Sequence, residues 1–195
     1  DALVAQARAS SAYAVVGLVE GDGAALYDTL VLVGPEGLVG KHRKTHLAPH
    51  EITIFDAGDV PSPVLTSALG PVGLSFGYEN AFPEVIRSLA IRRALLVEGA
   101  YADDGTLWQE LARTRASENK VYVIAANRTG TEDGTTYGGR SLIARTSRAI
   151  NVQAGSGAET VKASLDMYEI TKRTFAYVDR ATAKVRSTDY YLDRR

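Results

Sequence analysis

The sequence predicts an α/β fold in which strands and helices pack in layers. Two observations indicate this class: residues 70–126 give a strand–helix–strand pattern twice, and runs of β-branched residues elsewhere have the length of buried strands. The 195 residues, 45% of them apolar, can bury a sizeable core. We therefore expect a single domain spanning residues 1–195.

The first part of the chain predicts a helix followed by three strands. Glycine and proline at residues 21–23 and 34–37 are turn signals that separate the strands as hairpins. A long loop with Pro49 and Pro61 follows, and such loops often carry function. The predicted elements are a helix at 1–12, a buried strand at 13–19, and strands at 25–33 and 38–42.

The rest of the chain predicts alternating strands and helices and then a strand-rich end. Pro83 suits the first position of a helix, and Asp103 and Asp104 suit the N-cap of the next one, which extends to Ala116. The predicted elements are helices at 83–93 and 167–175, strands at 72–76, 94–97, 121–126, 141–144, 149–153 and 159–165, and a polar tail.

Charge and cysteine content exclude several classes of function. The chain has 22 basic and 23 acidic residues, which makes nucleic acid and anionic membranes poor partners. It has no apolar run of the ~20 residues that span a bilayer and no signal-peptide pattern, so we expect a cytoplasmic protein. Cysteine is absent, which excludes disulfides, thiolate metal sites and thiol nucleophiles.

Two segments are candidates for a reactive site. Lys44 follows a strand, where its ammonium could reach a cleft, although a lysine there is more often a solvated surface charge, and Glu51 follows in the loop. Residues 73–84 run from a strand through a bend at Gly77 into a helix. Such a bend exposes its residues and can present backbone N–H groups to an oxyanion.

These segments, with others in the same order, resemble the nitrilase superfamily of carbon–nitrogen hydrolases. The match covers nearly the whole chain and corresponds to the C-terminal two-thirds of the family. The matching motifs are Tyr27-Asp28-Thr29, residues 41–47, 55–59, 82–84 and 115–119, Ala126-Asn127-Arg128 and Gly139-Arg140-Ser141. No single motif is decisive, but the collinear set is.

The resemblance implies an αββα sandwich without the family's first strands and helix, and a cofactor-free reaction. In that reaction a cysteine attacks the carbon of a small amide, nitrile or N-carbamoyl compound, and water releases the product. By motif, Lys44 would stabilise the tetrahedral intermediate and Glu51 would position the substrate or the catalytic groups. Tyr78, Glu79 and Asn127 would bind substrate or the oxyanion. Structural roles also fit these three: filling space, charging the helix start and bonding a local loop.

Two departures from the family affect the expected activity. The nucleophilic cysteine falls at Gly77, so the chain is expected to be inactive as written. Ser75 would lie on the same strand face but about 6.5 Å away, too far to replace the cysteine. The second departure is that the general-base glutamate has no match. Asp28, where the family usually has asparagine, is a minor departure that bears on the subfamily.

Five alternatives or additions accompany this interpretation. The chain could be a non-catalytic subunit that binds a small amide-like ligand or regulates another chain. A second chain or segment could cover the sheet edges left by the missing strands, and the helices near Phe82 and Asp103 could form the interface of a homo-oligomer. A metal site at His42, His46 and His50 lacks a carboxylate partner, so no metal is expected. A serine hydrolase is disfavoured because residues 139–143 lack the second glycine of the elbow motif.

Overall fold

The computed structural model describes residues 2–94, 96–102, 105–147, 150–167, 177–179 and 184–186. The helices are α1 (Ala2–Ser10), α2 (Pro83–Ile91) and α3 (Leu107–Asn119), and a short 3-10 helix covers Tyr78–Ala81. The strands are β1 (Ala14–Asp22), β2 (Ala25–Gly34), β3 (Gly37–Arg43), β4 (Val64–Ser67), β5 (Gly70–Leu74), β6 (Leu96–Tyr101), β7 (Tyr122–Asn127), β8 (Thr129–Glu132), β9 (Thr135–Gly138), β10 (Leu142–Ala144), β11 (Ile150–Gln153), β12 (Tyr177–Asp179) and β13 (Lys184–Arg186).

The larger strands form two sheets. β1, β2 and β3 make an antiparallel sheet of three strands in chain order. A six-stranded sheet has the order β11-β10-β7-β6-β5-β4, in which β5, β6 and β7 are parallel and the outer strands pair antiparallel. The hairpins β8–β9 and β12–β13 are separate two-stranded sheets.

The two large sheets pack face to face. On β2, Leu30 and Leu32 point to the six-stranded sheet and contact a cluster that includes Leu74 of β5 and Tyr122 of β7, all at most 1% exposed. Because side chains alternate along a strand, Val31 and Val33 point the other way and pack against Ala7 of α1. One strand therefore serves two apolar interfaces.

Helices cover the outer face of the six-stranded sheet. Ile86 and Leu89 of α2 and Ala112 of α3 are completely buried against a cluster that includes Val123 of β7 and Leu142 of β10. The layers therefore run α1, three-stranded sheet, six-stranded sheet, and α2 with α3. This arrangement confirms the layered α/β class and the αββα sandwich that the sequence predicts.

The prediction for residues 13–19 was wrong about burial. Residues 14–19 do belong to β1, but Leu18 is 39% exposed and Val19 is 63% exposed. β1 lies at the edge of the three-stranded sheet, so a β-branched run reflected strand propensity and not complete burial.

The strand predicted at 159–165 is also absent. The structure has no regular element there; the Gly155 N–H donates to the Glu159 carboxylate at 2.7 Å, and Leu165 packs against the cluster between the sheets. Alternating exposure arises here from contacts of an irregular segment, which a period-two pattern does not distinguish from strand pairing.

Several elements differ in position or were not predicted. β4 lies in the predicted long loop, the hairpin β8–β9 lies in a segment with no predicted element, and β12 and β13 lie in the predicted polar tail. The N-cap of α3 is Thr106, whereas Asp103 and Asp104 lie outside the described residues, as does most of the helix predicted at 167–175. Within the described ranges, no helix has the length and apolar character needed to cross a membrane.

Candidate active site

A cavity of ≈ 300 Å³ opens where the ends of β2 and β3 meet the bend that follows β5. Its lining includes Asp28, Lys44, Glu51, Phe76, Gly77 and Tyr78. Lys44 and Gly77, which belong to the two candidate segments named from the sequence, thus lie on the same cavity. The two sheets bring them together, since Lys44 follows a strand of one sheet and Gly77 a strand of the other.

Lys44 is a buried cation held between two carboxylates. The pairing of β2 with β3 continues one residue further, because the Lys44 N–H donates to the Asp28 carbonyl at 2.8 Å. Lys44 is 4% exposed, and its Nζ lies 2.5 Å from Glu51 Oε1 and 3.6 Å from Asp28 Oδ2. A buried ammonium needs such partners, since removing a charge from water without compensation is costly.

The loop after β3 fixes Glu51 in place. Its second carboxylate oxygen accepts the N–H of Ala48 at 2.6 Å, and its carbonyl accepts the N–H groups of Ile54 and Phe55 at 2.9 Å. Gly58 N–H donates to the Lys44 carbonyl at 2.8 Å, which ties the end of the loop back to its start. The loop therefore orients Glu51 toward Lys44.

Gly77 forms the bend between β5 and the 3-10 helix. Its backbone has φ −48° and ψ −56°, an ordinary right-handed helical conformation that any L-residue can adopt. The bend therefore does not require glycine for conformational reasons. Tyr78 follows it, 40% exposed at the cavity, with its ring edge-to-face on Phe82 at 5.5 Å between centroids.

Glu79 lies beneath the bend and is completely buried. Its carboxylate accepts hydrogen bonds from His42 Nε2 at 3.0 Å, from the N–H and hydroxyl of Thr45 at 2.8 Å, and from the Phe76 N–H at 3.0 Å. Burial raises the pKa of Glu79, but the hydrogen bond and charge of His42 and the backbone N–H groups outweigh it and lower the pKa to about 2. Glu79 is therefore ionised and joins the segment after β3 to the bend.

Asn127 is placed apart from this cavity. Its Nδ2 donates to the Gly139 carbonyl at 2.9 Å, and its N–H donates to Ser141 Oγ at 2.9 Å. It lines a separate surface depression with Arg128 and Ser141. Of the residues that the resemblance proposed for the site, Lys44, Glu51, Gly77 and Tyr78 are brought together, whereas Glu79 and Asn127 hold neighbouring segments.

Ser75 does not reach the cavity. It is completely buried, and its Oγ accepts a hydrogen bond from Asn80 Nδ2 at 3.0 Å. This environment agrees with the distance argument that Ser75 cannot replace a nucleophile at position 77.

Asp28 adds a second carboxylate to the site. Burial raises its pKa, the positive charge of Lys44 lowers it, and the nearby charge of Glu51 raises it again. The net effect is a raised pKa, so Asp28 gives up its proton less readily than an exposed aspartate.

The three histidines have different surroundings. His42 bonds to Glu79, His46 packs against the Phe82 ring at 4.5 Å between centroids, and His50 lines the cavity. Within the part of the chain that the structure describes, no group of three or more histidine, aspartate or glutamate side chains is arranged to hold a metal ion.

Sequence reasoning did not assign His42, Asp28, His50 or Tyr137 to the site. His42 and Asp28 had a usable signal, because His42 lies two residues before Lys44 on one strand face, and Asp28 lies two before Leu30. Tyr137 of β9 comes from a hairpin that the sequence did not predict, and local pattern gives no indication that it reaches this cavity.

Comparison with known proteins places the chain in a family. Residues 1–173 match the family described as carbon-nitrogen hydrolase. A nitrilase from Pyrococcus abyssi is 36% identical over 172 residues, which cover 86% of this chain and 64% of the nitrilase. The chain thus spans less than two-thirds of the length of that relative.

Solved structures agree. A carbon-nitrogen hydrolase from Helicobacter pylori has the same fold with a TM-score of 0.81, at 20% identity over 87% of this chain and 67% of that one. A mutant of the amidase from Nesterenkonia sp. AN1 has a TM-score of 0.73 at 28% identity over 80% of this chain and 61% of that one, and shows covalent addition of the acetamide moiety of fluoroacetamide at the active site cysteine. The chain is therefore a member of the carbon–nitrogen hydrolase family, the nitrilase superfamily.

Proposed function

We propose that this chain forms the ligand cavity of a carbon–nitrogen hydrolase that binds small amides or nitriles but does not form the family's covalent intermediate. The observation that carries the proposal is the buried Lys44–Glu51 pair facing Gly77 across one cavity, in a chain without cysteine. A buried ammonium beside the bend is suited to a carbonyl or nitrile dipole, whose negative end it would attract.

Glycine at position 77 determines the expected chemistry. In the Nesterenkonia amidase the acetamide adduct is on the active site cysteine. Gly77 has no side chain to form such a bond, and Ser75 is buried on Asn80, so we expect ligand binding with little or no turnover. A chain of this kind would act as a binding or regulatory subunit, and pairing with another chain remains a prediction.

Direct binding is the first test. Butyramide titrated into the wild-type chain and followed by NMR should perturb resonances of Lys44, Glu51 and Tyr78, and the same solution should release no ammonia. Turnover by the wild type would overturn the non-catalytic part of the proposal. Absence of binding by butyramide and by butyronitrile would overturn the ligand assignment.

A chemical test then locates the ligand. Gly77→Cys introduces the single thiol of the chain, since the wild type has none, and its backbone conformation accepts a cysteine without strain. Fluoroacetamide should alkylate this thiol with loss of fluoride, and butyramide should protect it. The matched control is Thr135→Cys on the exposed face of β9; equal labelling of both variants in butyramide would contradict the location.

A further inference from the structure

Asp28 occupies the inward position of β2 next to the cavity. Residues 28, 30 and 32 share one face of the strand, and Leu30 and Leu32 on that face are buried between the two sheets. Asp28 is the next side chain on this face. It lies beyond the end of the apolar core and lines the cavity that Lys44 and Gly77 also line. At position 28 this face of the strand therefore carries a carboxylate, whereas at positions 30 and 32 it carries apolar side chains.

The charges described around the cavity do not balance. Lys44 is paired most closely with Glu51, at 2.5 Å, and lies 3.6 Å from Asp28. Nearby Glu79 has its own partner in His42, so it does not use the charge of Lys44. Among the described residues that line the cavity, the carboxylates of Asp28 and Glu51 outnumber the single ammonium of Lys44.

Two further features favour a cation in this position. The pKa of Asp28 is raised chiefly by burial, so the ionised carboxylate would gain from an additional positive partner. Tyr78 also lines the cavity and is 40% exposed, so its ring can attract a ligand cation, whereas Lys44 and Arg128 already lie over the rings of Phe76 and Tyr137. A carboxylate on a ligand would instead meet Asp28 and Glu51.

We propose that Asp28 makes this cavity selective for ligand charge, so that small amides with an ammonium substituent bind in preference to amides with a carboxylate. The inference rests on the proposed function and specifies its ligand class.

Three amides of similar size test the proposal by isothermal titration with the full chain at pH 7. They are 4-aminobutanamide, which is cationic, pentanamide, which is neutral, and succinamate, which is anionic. Wild type should bind the cation more tightly than the neutral amide and the anion most weakly. Asp28→Asn should reduce the ratio of the anion Kd to the cation Kd by at least about tenfold, since the two side chains have nearly the same shape and differ in charge.

The matched control is Asp133→Asn, at an exposed turn with φ +49° that asparagine also adopts. This control should leave the ratio unchanged. If pentanamide binds wild type and Asp28→Asn leaves the ratio unchanged, the charge-selection inference is wrong while the proposed function stands. If none of the three amides binds wild type, this inference fails, and the proposed function fails with it only if butyramide and butyronitrile do not bind either.

A pH series provides a second readout. The groups that face Asp28 are Lys44, Glu51, Glu79 and His50, and those groups are common to both proteins. Protonation of Asp28 should therefore weaken binding of 4-aminobutanamide as the pH falls in wild type more than in Asp28→Asn. Identical pH dependence in the two proteins would overturn the inference.

Discussion

His42 Nε2 lies 3.0 Å from both carboxylate oxygens of Glu79, and the two side chains are 1% and 0% exposed. This pair crosses between the two sheets at the cavity, because His42 is on β3 and Glu79 is in the 3-10 helix after β5. Lys44 lies two residues after His42 and Gly77 two before Glu79, so the pair fixes the separation of Lys44 from the bend.

Glu79→Gln should destabilise the fold by about 3–5 kcal/mol, because it leaves His42 and two backbone N–H groups without their buried carboxylate. Urea unfolding followed by circular dichroism measures the change. The control Glu110→Gln removes a pair with Arg113 whose glutamate side chain is 63% exposed, and should cost less than about 1 kcal/mol. Equal effects of the two substitutions would contradict the role assigned to Glu79.

The same carboxylate should make the fold acid-sensitive. The pKa of Glu79 is about 2 in the folded chain, below its ordinary value of 4.5, so its stabilising contribution is present above pH 4.5 and is lost as the pH falls toward 2. Stability measured from pH 6 down to pH 2 should decline less steeply in Glu79→Gln than in wild type. Arg43 also lowers the pKa of Glu20 to about 2, so Glu20 contributes the same decline of stability with falling pH to wild type and to Glu79→Gln.

Parallel pH profiles of wild type and Glu79→Gln would contradict this prediction. Glu20→Gln is the matched variant, since it removes a carboxylate with a similar folded pKa from the three-stranded sheet and leaves the cavity intact.

The layered architecture could be predicted because it depends on patterns within single elements. The continuous apolar run of β2 indicates a buried strand and the apolar stripe of α2 a helix with one buried face, and Leu30 and Ile86 are indeed completely buried. The sequence could not predict which elements pair. β4 and the β8–β9 hairpin are short, and strand formation there depends on neighbouring strands more than on local propensity.

In the site, too, features of single segments could be predicted and contacts between segments could not. Lys44, Glu51 and Gly77 belong to segments whose order is recognisable, whereas the contact of Asp28 with Lys44 depends on the register between β2 and β3. Glu79 illustrates a second limit: a charged residue at a helix start is usually solvated, and its burial here depends on His42 and on N–H groups from two other segments.

Lys44→Met should destabilise the chain by about 3–5 kcal/mol and abolish butyramide binding, because Glu51 and Asp28 would lose their shared cation. Urea unfolding and titration calorimetry measure the two effects. Lys41→Met is the control: it removes a cation that is 46% exposed and paired with Glu20, and should cost less than about 1 kcal/mol without changing binding.

A double substitution tests whether Lys44 and Glu51 stabilise the chain as a pair. If the cost of Lys44→Met comes from an uncompensated carboxylate, Lys44→Met/Glu51→Gln should cost less than the sum of the two single substitutions. Additive costs would mean that Lys44 and Glu51 stabilise the chain independently.

Gly77→Ala should leave stability unchanged or raise it by about 0.4–1 kcal/mol, because alanine restricts the unfolded chain at a site whose folded backbone it adopts without strain. The φ of −48° and ψ of −56° at Gly77 permit this change.

Gly139→Ala is the contrasting variant: its φ is +60°, and an added Cβ would lie 2.6 Å from the Ser156 carbonyl oxygen. It should destabilise the chain by more than about 1 kcal/mol. Thermal unfolding of the two variants measures the difference, and a large loss in Gly77→Ala would mean that the backbone requires glycine at position 77. A neutral result for Gly77→Ala would mean that the bend tolerates a side chain at position 77. The fold would then not require the absence of a nucleophile there.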